Sequence, residues 1–313
     1  MSMKLKECVR SFFVFSCKGG VFKAALVLPF LFFGCEGVIR VGDVEDGGDI
    51  DVHVVNQDGT VDASAEDDAG IDGGFPDGHV VTDADIPVDS STGVVDPPLG
   101  GSSGGSGGGF YPQAERVDAS SISIMLIVPG SYSDAVPNRL MIVYSGTEGD
   151  VQMAQNLFNV APMAGLTDVI FAVLDGVTYN GNGAAGAVVL DYIRSNYNIS
   201  NDETFLLSES AGTTAGLQLG FDLRQSYFAA YWANDVNASA SPVLTATELG
   251  FAPWGNSGPG GNFTAAQAIV DSMNNAGYRL PADAPYSGEG ADVHGSPQQF
   301  IAAVQFFDGK SRQ

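Results

Sequence analysis

A serine with small neighbours follows a short apolar run in the second half of the chain. Residues 204–212 read Thr-Phe-Leu-Leu-Ser-Glu-Ser-Ala-Gly, and a segment rich in small residues comes next. Where a strand turns sharply into a helix, the side chain at the turn is exposed, and small neighbours let the two backbones approach. This context makes Ser210 a candidate nucleophile. The usual spacing is Gly-x-Ser-x-Gly, and Ser208 stands in place of the first glycine.

A serine hydroxyl becomes a good nucleophile only when a base removes its proton. Of the three histidines, His53 and His79 lie in an acidic low-complexity segment, which leaves His294 as the candidate base. It lies in the sequence Asp-Val-His-Gly-Ser-Pro, just before a predicted C-terminal helix. An isolated histidine is more often a structural residue, so this assignment requires that His294 come close to Ser210.

The elements that would position these two side chains are strands alternating with helices. Apolar runs predict strands at 121–129, 139–144, 168–174, 204–207 and 227–233. Helical spacing and caps predict helices at 185–197, at 264–276 with a Thr264/Gln267 capping box, and from Pro297 onward with Ser296 as its cap. This alternation favours an α/β fold, a mostly parallel sheet with helices on both faces.

The order of these elements resembles the α/β-hydrolase superfamily, and within it secreted esterases of the polyhydroxybutyrate-depolymerase and feruloyl-esterase type. The resemblance covers roughly residues 120–308. It implies an α/β-hydrolase-like fold in which Ser210 is the nucleophile and His294 the general base. It also implies that the oxyanion of the reaction is bound by the backbone N–H of Ala211 and by that of Gly146 or Thr147.

The carboxylate that would orient the histidine is open at this stage. The resembled family carries it after the strand that follows 227–233, where this chain has Gly258. Some members of the superfamily carry the acid one strand earlier, and Asp235 fits that position. Asp283 and Asp292 lie near His294 in the sequence and stay as alternatives.

The first 34 residues have the composition of an export signal. Residues 1–34 hold five of the 13 basic residues and end in the apolar run 24–33 and Gly34. This order is typical of a secretory signal peptide, and the apolar run is too short to span a bilayer. The Gly34-Cys35 junction resembles a bacterial lipobox, which implies a lipid on Cys35 and a place in the cell envelope, at the outer membrane, in the periplasm or outside the cell. The alternatives are an ordinary signal peptide and an uncleaved anchor.

Residues 35–109 have the composition of a disordered tether, which leaves 110–313 as the hydrolase-like domain. The stretch 36–96 holds 17 acidic residues against Arg40 alone, and 100–109 contains only glycine and serine. Low hydrophobicity with high charge does not bury enough apolar surface to offset the entropy of ordering. Cation binding by the acidic stretch is the alternative, although its aspartate spacing breaks the EF-hand order.

The net charge of −24 argues against nucleic acid as a partner, because no basic patch would neutralise phosphates. No Cys/His metal motif and no phosphate-binding glycine loop occurs, so neither a metal nor a cofactor is expected. The leading hypothesis is an exported, lipid-anchored serine hydrolase that acts on small-molecule or polymeric carboxylic esters through an acyl-enzyme. The alternatives are a catalytically inactive hydrolase-fold lipoprotein that serves as a binding or structural module, and a protein whose acidic tether gathers cations or basic partners.

Overall fold

The computed structural model describes residues 96–312 and, before them, only the backbone of three short strands. These are β1 (Ala25–Leu26), β2 (Val38–Val41) and β3 (Val52–Val55), which form an antiparallel sheet. β2 and β3 lie within the predicted tether, and both are rich in valine, which favours strands. The rest of the predicted signal peptide, Cys35 and the remainder of the tether up to residue 95 lie outside the described residues.

The chain divides into two units, Met1–Val80 and Val81–Gln313, and a seven-stranded sheet forms the centre of the second. Its strands are β4 (Glu115–Ala119), β5 (Ile122–Ile127), β6 (Asn138–Tyr144), β7 (Val169–Leu174), β8 (Ile199–Glu209), β9 (Ala230–Asn234) and β10 (Trp254–Ser257). The order across the sheet is β10-β9-β8-β6-β7-β5-β4. Five neighbouring strands pair in parallel, namely β10, β9, β8, β6 and β7. In contrast, β5 pairs antiparallel with both β4 and β7. The predicted mostly parallel sheet is confirmed.

Helices cover both faces of this sheet, as predicted. In the described part they are α1 (Gly149–Val160), α2 (Gly183–Asn196), α3 (Thr213–Gln218), α4 (Ala246–Leu249), α5 (Phe263–Asn275) and α6 (Pro297–Phe306). Ile142 of β6 packs in one apolar cluster with side chains of α2, α3 and α5. Its neighbour Val143 packs in a second cluster with α1 and α6. Successive side chains of a strand point to opposite faces, so the apolar runs of the sequence fill both layers.

The predicted helix starts agree with the structure at α6 and differ at α5. Ser296 caps α6 by accepting a hydrogen bond from Gln299 N, and Pro297 is the first helical residue. Asn262, rather than Thr264, caps α5, because its amide oxygen accepts the N–H of Ala265 at 3.3 Å. The predicted capping box is therefore wrong.

The glycine- and serine-rich stretch 100–109 packs against the sheet unit instead of hanging free from it. Ser103 N donates to Ile199 O at 2.8 Å, and Gly107 N donates to Asn196 O at 3.0 Å. A Cβ atom on Gly105 would lie 2.5 Å from Tyr197 N, so only glycine permits this approach. The boundary predicted at residue 110 is therefore too late. Glycine-rich composition is typical of flexible linkers, but glycine also lets one backbone approach another closely because it has no side chain.

Arg312, near the C-terminus, binds the beginning of this stretch. Its guanidinium group is buried and donates to the carbonyl oxygens of Pro97 at 3.1 Å and Pro98 at 2.7 Å. It also pairs with Asp202 at 3.0 Å, in the first half of β8. The two ends of the described unit are thus joined. None of the helices in residues 96–312 has both the length and the apolar character needed to cross a bilayer.

Candidate active site

Ser210 lies on a tight turn at the end of a central strand. β8 ends at Glu209, and a 3-10 turn over Ser210–Gly212 leads directly into α3. Ser210 has φ of +43°, a left-handed conformation that is rare for residues other than glycine. Such strain is maintained only where the surrounding structure determines it, and it is typical of functional turns.

Three backbone segments meet beneath this turn at the carbonyl oxygen of Ser145, which follows β6. A Cβ atom on Gly212 would lie 2.6 Å from that oxygen, and one on Gly176 would lie 1.8 Å from it. Both distances are far shorter than a carbon–oxygen contact allows, so glycine is required at both positions. This close packing fixes the position of the turn relative to β6 and to β7, which Gly176 follows.

Ser208 fits in place of the usual first glycine because the neighbouring helix supplies the missing space. A Cβ atom on Gly216 of α3 would lie 2.4 Å from the Cβ atom of Ser208. The Ser208 hydroxyl is fully buried and hydrogen bonds to the Tyr231 hydroxyl at 3.0 Å. Burial raises the pKa of Tyr231, so this partner stays neutral. The departure from the usual motif is therefore accommodated without an unsatisfied polar group.

The structure brings His294 to Ser210 from the other end of the unit. His294 Nε2 lies 3.0 Å from Ser210 Oγ, although 84 residues separate the two in the chain. His294 is exposed and lies in the loop before α6, whose cap Ser296 fixes where the loop ends. The distance is that of a hydrogen bond between a nucleophile and its general base.

Asp235 lies beside this histidine loop, directly after β9. Its side chain is buried, and its Oδ2 accepts a hydrogen bond from Gly295 N at 2.5 Å. Its Oδ1 accepts one from Gln299 Nε2 at 2.7 Å. These bonds connect the carboxylate to the residue after His294 and to α6, and within the described residues none of its hydrogen bonds goes to the imidazole ring. The alternatives Asp283 and Asp292 are exposed.

The chain after β10 leaves room for the side chains that follow β9. A Cβ atom on Gly258 would lie 2.3 Å from Asn234 Oδ1, and one on Gly260 would lie 2.2 Å from Asp235 Oδ1. The space that an acidic side chain at Gly258 would need is therefore taken by the residues at the end of β9. This arrangement explains why residue 258, after β10, is glycine and not an acidic residue.

The three predicted oxyanion-binding residues border Ser210 to different degrees. Ala211 follows it directly, and a Cβ atom on Gly146 would lie 3.2 Å from the Ser210 Cβ atom. The N–H of Gly146 donates to Glu148 Oε1 at 2.9 Å. Thr147 is exposed. Gly146 is thus the better placed of the two loop residues, and its N–H already has an acceptor within its own loop.

A mostly parallel sheet in the order β10-β9-β8-β6-β7-β5-β4, with helices on both faces, carries a strained serine at the end of β8 and a histidine from the loop before α6. The unit has an α/β-hydrolase fold. No family model matches the sequence, and no curated protein matches it at a significant level of similarity.

Solved structures similar to this α/β-hydrolase unit share little sequence with it. A thermostable esterase has 16% identity and a TM-score of 0.48, with 64% of this chain and 63% of that chain covered. A poly(3-hydroxybutyrate) depolymerase from Bordetella parapertussis has 15% identity and a TM-score of 0.44, with 64% and 92% covered. A CE1 ferulic acid esterase from Anaeromyces mucronatus has 12% identity and a TM-score of 0.43, with 64% and 90% covered. The chain thus spans about 63% of the length of the thermostable esterase. At these identities the likeness says nothing about substrate or mechanism.

Two glutamates at this candidate site were not predicted. Glu209, the residue before Ser210, is buried, and its Oε2 accepts a hydrogen bond from Asn234 Nδ2 at 3.0 Å. Burial and the nearby charges of Asp235 and Glu148 raise the pKa of Glu209 well above its usual value. Burial also raises the pKa of Glu148, against the opposing effect of the Gly146 N–H bond. The sequence signal for Glu209 was its place inside an apolar strand, where charged residues are uncommon unless paired.

Other kinds of site are not found in the part of the chain that the structure describes. No group of three or more His, Cys, Asp or Glu side chains is arranged to hold a metal ion between residues 96 and 312. A cavity of about 240 Å³ lies between the Asp96–Leu99 segment, Phe251 and Arg312. Neither Ser210 nor His294 lines it.

Proposed function

We propose that this chain is a serine hydrolase that acts on carboxylic esters, either small molecules or polymers. The observation that carries the proposal is the 3.0 Å distance between Ser210 Oγ and His294 Nε2 at a strained turn. Ser210 Oγ bonds to the acyl carbon while His294 Nε2 takes the hydroxyl proton. The carbon–oxygen bond to the alcohol then breaks, and His294 returns the proton to the departing alcohol. Water, deprotonated by the same histidine, releases the acid from the acyl-enzyme.

Backbone N–H groups would stabilise the negative oxygen that forms on the acyl carbon. In our proposal these belong to Ala211 and Gly146. Since the Gly146 N–H donates to Glu148 in the structure, the substrate oxygen has to replace the Glu148 carboxyl group there. Thr147, the alternative to Gly146, is the exposed member of the same loop.

Asp235 supplies the negative charge next to the base in this proposal. Its two N–H hydrogen bonds hold the carboxylate against the loop of His294 and against α6. A fixed carboxylate at this place favours the imidazolium that forms when Ser210 is deprotonated.

A fluorophosphonate probe tests the proposed chemistry directly, because it modifies only activated serines. We expect the full-length protein to be labelled, and mass spectrometry of its peptides to place the adduct on Ser210. The His294→Ala variant should react about 100-fold more slowly, since the base is lost. Ser195→Ala, on the exposed face of α2, is the matched control and should react at the normal rate.

The alternative function, an inactive hydrolase-fold module, has one observation in its favour, the Glu148 carboxyl group on the Gly146 N–H. It predicts that the folded protein resists the probe at every pH. An adduct on another serine, or none on a protein with a cooperative unfolding transition, would contradict the hydrolase.

Export and lipid attachment form a separate part of the proposal, with Cys35 as the modified residue and the cell envelope as the location. The support is the basic start, the apolar run and the Gly34-Cys35 junction in the sequence. We expect a clickable fatty acid supplied to expressing bacteria to label the protein, and Cys35→Ser to abolish this label and move the protein from the membrane to the soluble fraction. Cys17→Ser is the matched control and should change neither. Persistence of the lipid label on Cys35→Ser would contradict the assignment.

A further inference from the structure

Glu209 is a buried acid next to the candidate nucleophile, and the proposed reaction does not use it. Its side chain is about 7% exposed, and one carboxyl oxygen accepts the amide of Asn234 at 3.0 Å. The carboxyl group also interacts with the side chain of Asp235, the residue after Asn234. Two acids therefore share a buried place between the nucleophile turn and the histidine loop.

The two acids differ in the hydrogen bonds that they accept from other groups. Both oxygens of Asp235 accept N–H hydrogen bonds, from Gly295 and from Gln299. A carboxylate accepts hydrogen bonds only, whereas a protonated carboxyl group donates one. Glu209 receives a single N–H bond, from Asn234, which leaves its other carboxyl oxygen without an N–H donor among the described contacts.

The groups around Glu209 favour its neutral form. Asp235 comes from the end of β9 and Glu148 from the loop before α1, and both repel a negative charge on Glu209. His294 hydrogen bonds to Ser210 and not to Glu209 among the described contacts. Burial acts in the same direction as the two acids, because it penalises the charged form.

The amide of Asn234 is itself fixed. Its Oδ1 accepts the indole N–H of Trp232 at 3.0 Å, and Trp232 is buried in the core. A chain of hydrogen bonds therefore runs from a core tryptophan through Asn234 to Glu209. Asp235, which interacts with Glu209, is bonded in turn to the backbone N–H next to His294.

We propose that Glu209 is a positioning residue that acts as a neutral carboxylic acid, donating a hydrogen bond to Asp235 and holding it against the His294 loop. The inference rests on the proposed function for its catalytic consequence. Its structural part, a protonated Glu209, stands independently of that function. Glu209 touches neither substrate nor reacting atoms, so its effect on the reaction passes through Asp235.

Two substitutions separate this role from others. In Glu209→Gln, the amide can donate to Asp235 and accept from Asn234 as a protonated acid does, and we expect fluorophosphonate labelling within about 3-fold of normal. Glu209→Met fills the same volume without hydrogen bonds, and we expect labelling about 100-fold slower, the cost typical of a small misplacement of a catalytic group. Glu203→Gln, on the same strand, is the matched control.

Labelling has two outcomes that would overturn the proposal. If Glu209→Gln loses as much reactivity as Glu209→Met, the charged form is the one that matters. If Glu209→Met unfolds more easily but its folded fraction is labelled at the normal rate, Glu209 has a structural role only.

The pH dependence of unfolding tests the protonated state without any activity. The raised pKa means that, above the ordinary value of 4.5, folded Glu209 keeps a proton that the unfolded chain releases. The free energy of unfolding therefore falls as pH rises through this window, and glutamine removes the fall. We expect the urea midpoint of Glu209→Gln, relative to the unmodified protein, to rise from about pH 5 to about pH 8.

A constant difference in urea midpoint across this range would overturn the protonated Glu209. If the unmodified protein is not labelled at all, the proposed hydrolase fails, while the unfolding experiment still decides whether Glu209 is neutral. The two failures are therefore distinguishable.

Discussion

Replacing Ser210 by alanine is expected to lower kcat for p-nitrophenyl acetate by about 10⁴-fold or more. The hydroxyl that His294 would deprotonate is then missing, and no other described serine has a histidine at 3.0 Å. The free energy of unfolding should change little, because alanine is smaller than serine and leaves the packing of the turn as it is. Steady-state hydrolysis measured with a urea unfolding curve checks both statements.

Ser195→Ala serves as the control, since Ser195 lies exposed on α2 and hydrogen bonds only to Asp191 O within the described residues. Its kcat should equal that of the unmodified protein. Hydrolysis that survives in Ser210→Ala at more than a hundredth of the normal rate would mean that another group is the nucleophile.

The Gly176→Ala substitution should lower the free energy of unfolding by about 3 kcal/mol, the upper range for overpacking a core. The added methyl group would lie 1.8 Å from the Ser145 carbonyl oxygen and 2.9 Å from Gly212 N, and both atoms belong to backbone that cannot rotate away. Since the same contact positions the turn of Ser210, labelling by fluorophosphonate should also slow. Thermal unfolding should show a midpoint roughly 10 °C lower.

Gly130→Ala is the matched control for this substitution. A Cβ atom there meets nothing within 4 Å, and Gly130 is not among the glycines with positive φ. Its stability should be unchanged or slightly higher, because alanine restricts the unfolded chain. Equal stability of Gly176→Ala and Gly130→Ala would contradict the close packing of Gly176 and Gly212 on the Ser145 carbonyl oxygen.

Much of the fold could be predicted from local patterns in the sequence. The apolar runs at 139–144 and 168–174 correspond to β6 and β7, and the turn after 204–207 lies where β8 meets α3. Buried parallel strands leave a strong signal because both of their faces are apolar. The pairing of Ser210 with His294 could be predicted because His294 is the one histidine outside the acidic low-complexity segment and because the resemblance implies a base at its position. Their roles in catalysis are our proposal.

The acid and its neighbours could not be predicted in the same way. Gly258 and Asp235 occupy alternative positions on adjacent strands, and the choice depends on space that only the folded chain defines. The state of Glu209 depends on Asp235 and Glu148, which come from different segments of the sequence. The run at 100–109 has a linker's composition, yet it packs flat on Asn196 and Tyr197 because glycine lacks a side chain.

The contacts of Arg312 with Pro97, Pro98 and Asp202 fix the start of the described unit at a point far from the proposed chemistry. Asp202, which pairs with Arg312, lies seven residues before Glu209 on β8, a separation of roughly 23 Å along a strand. A bead or surface coupled through the residues before Asp96 would therefore hold the unit by the end of β8 opposite Ser210. The serine edge would then be free to meet a solid polymer, which suits the chain to use as an immobilised reagent.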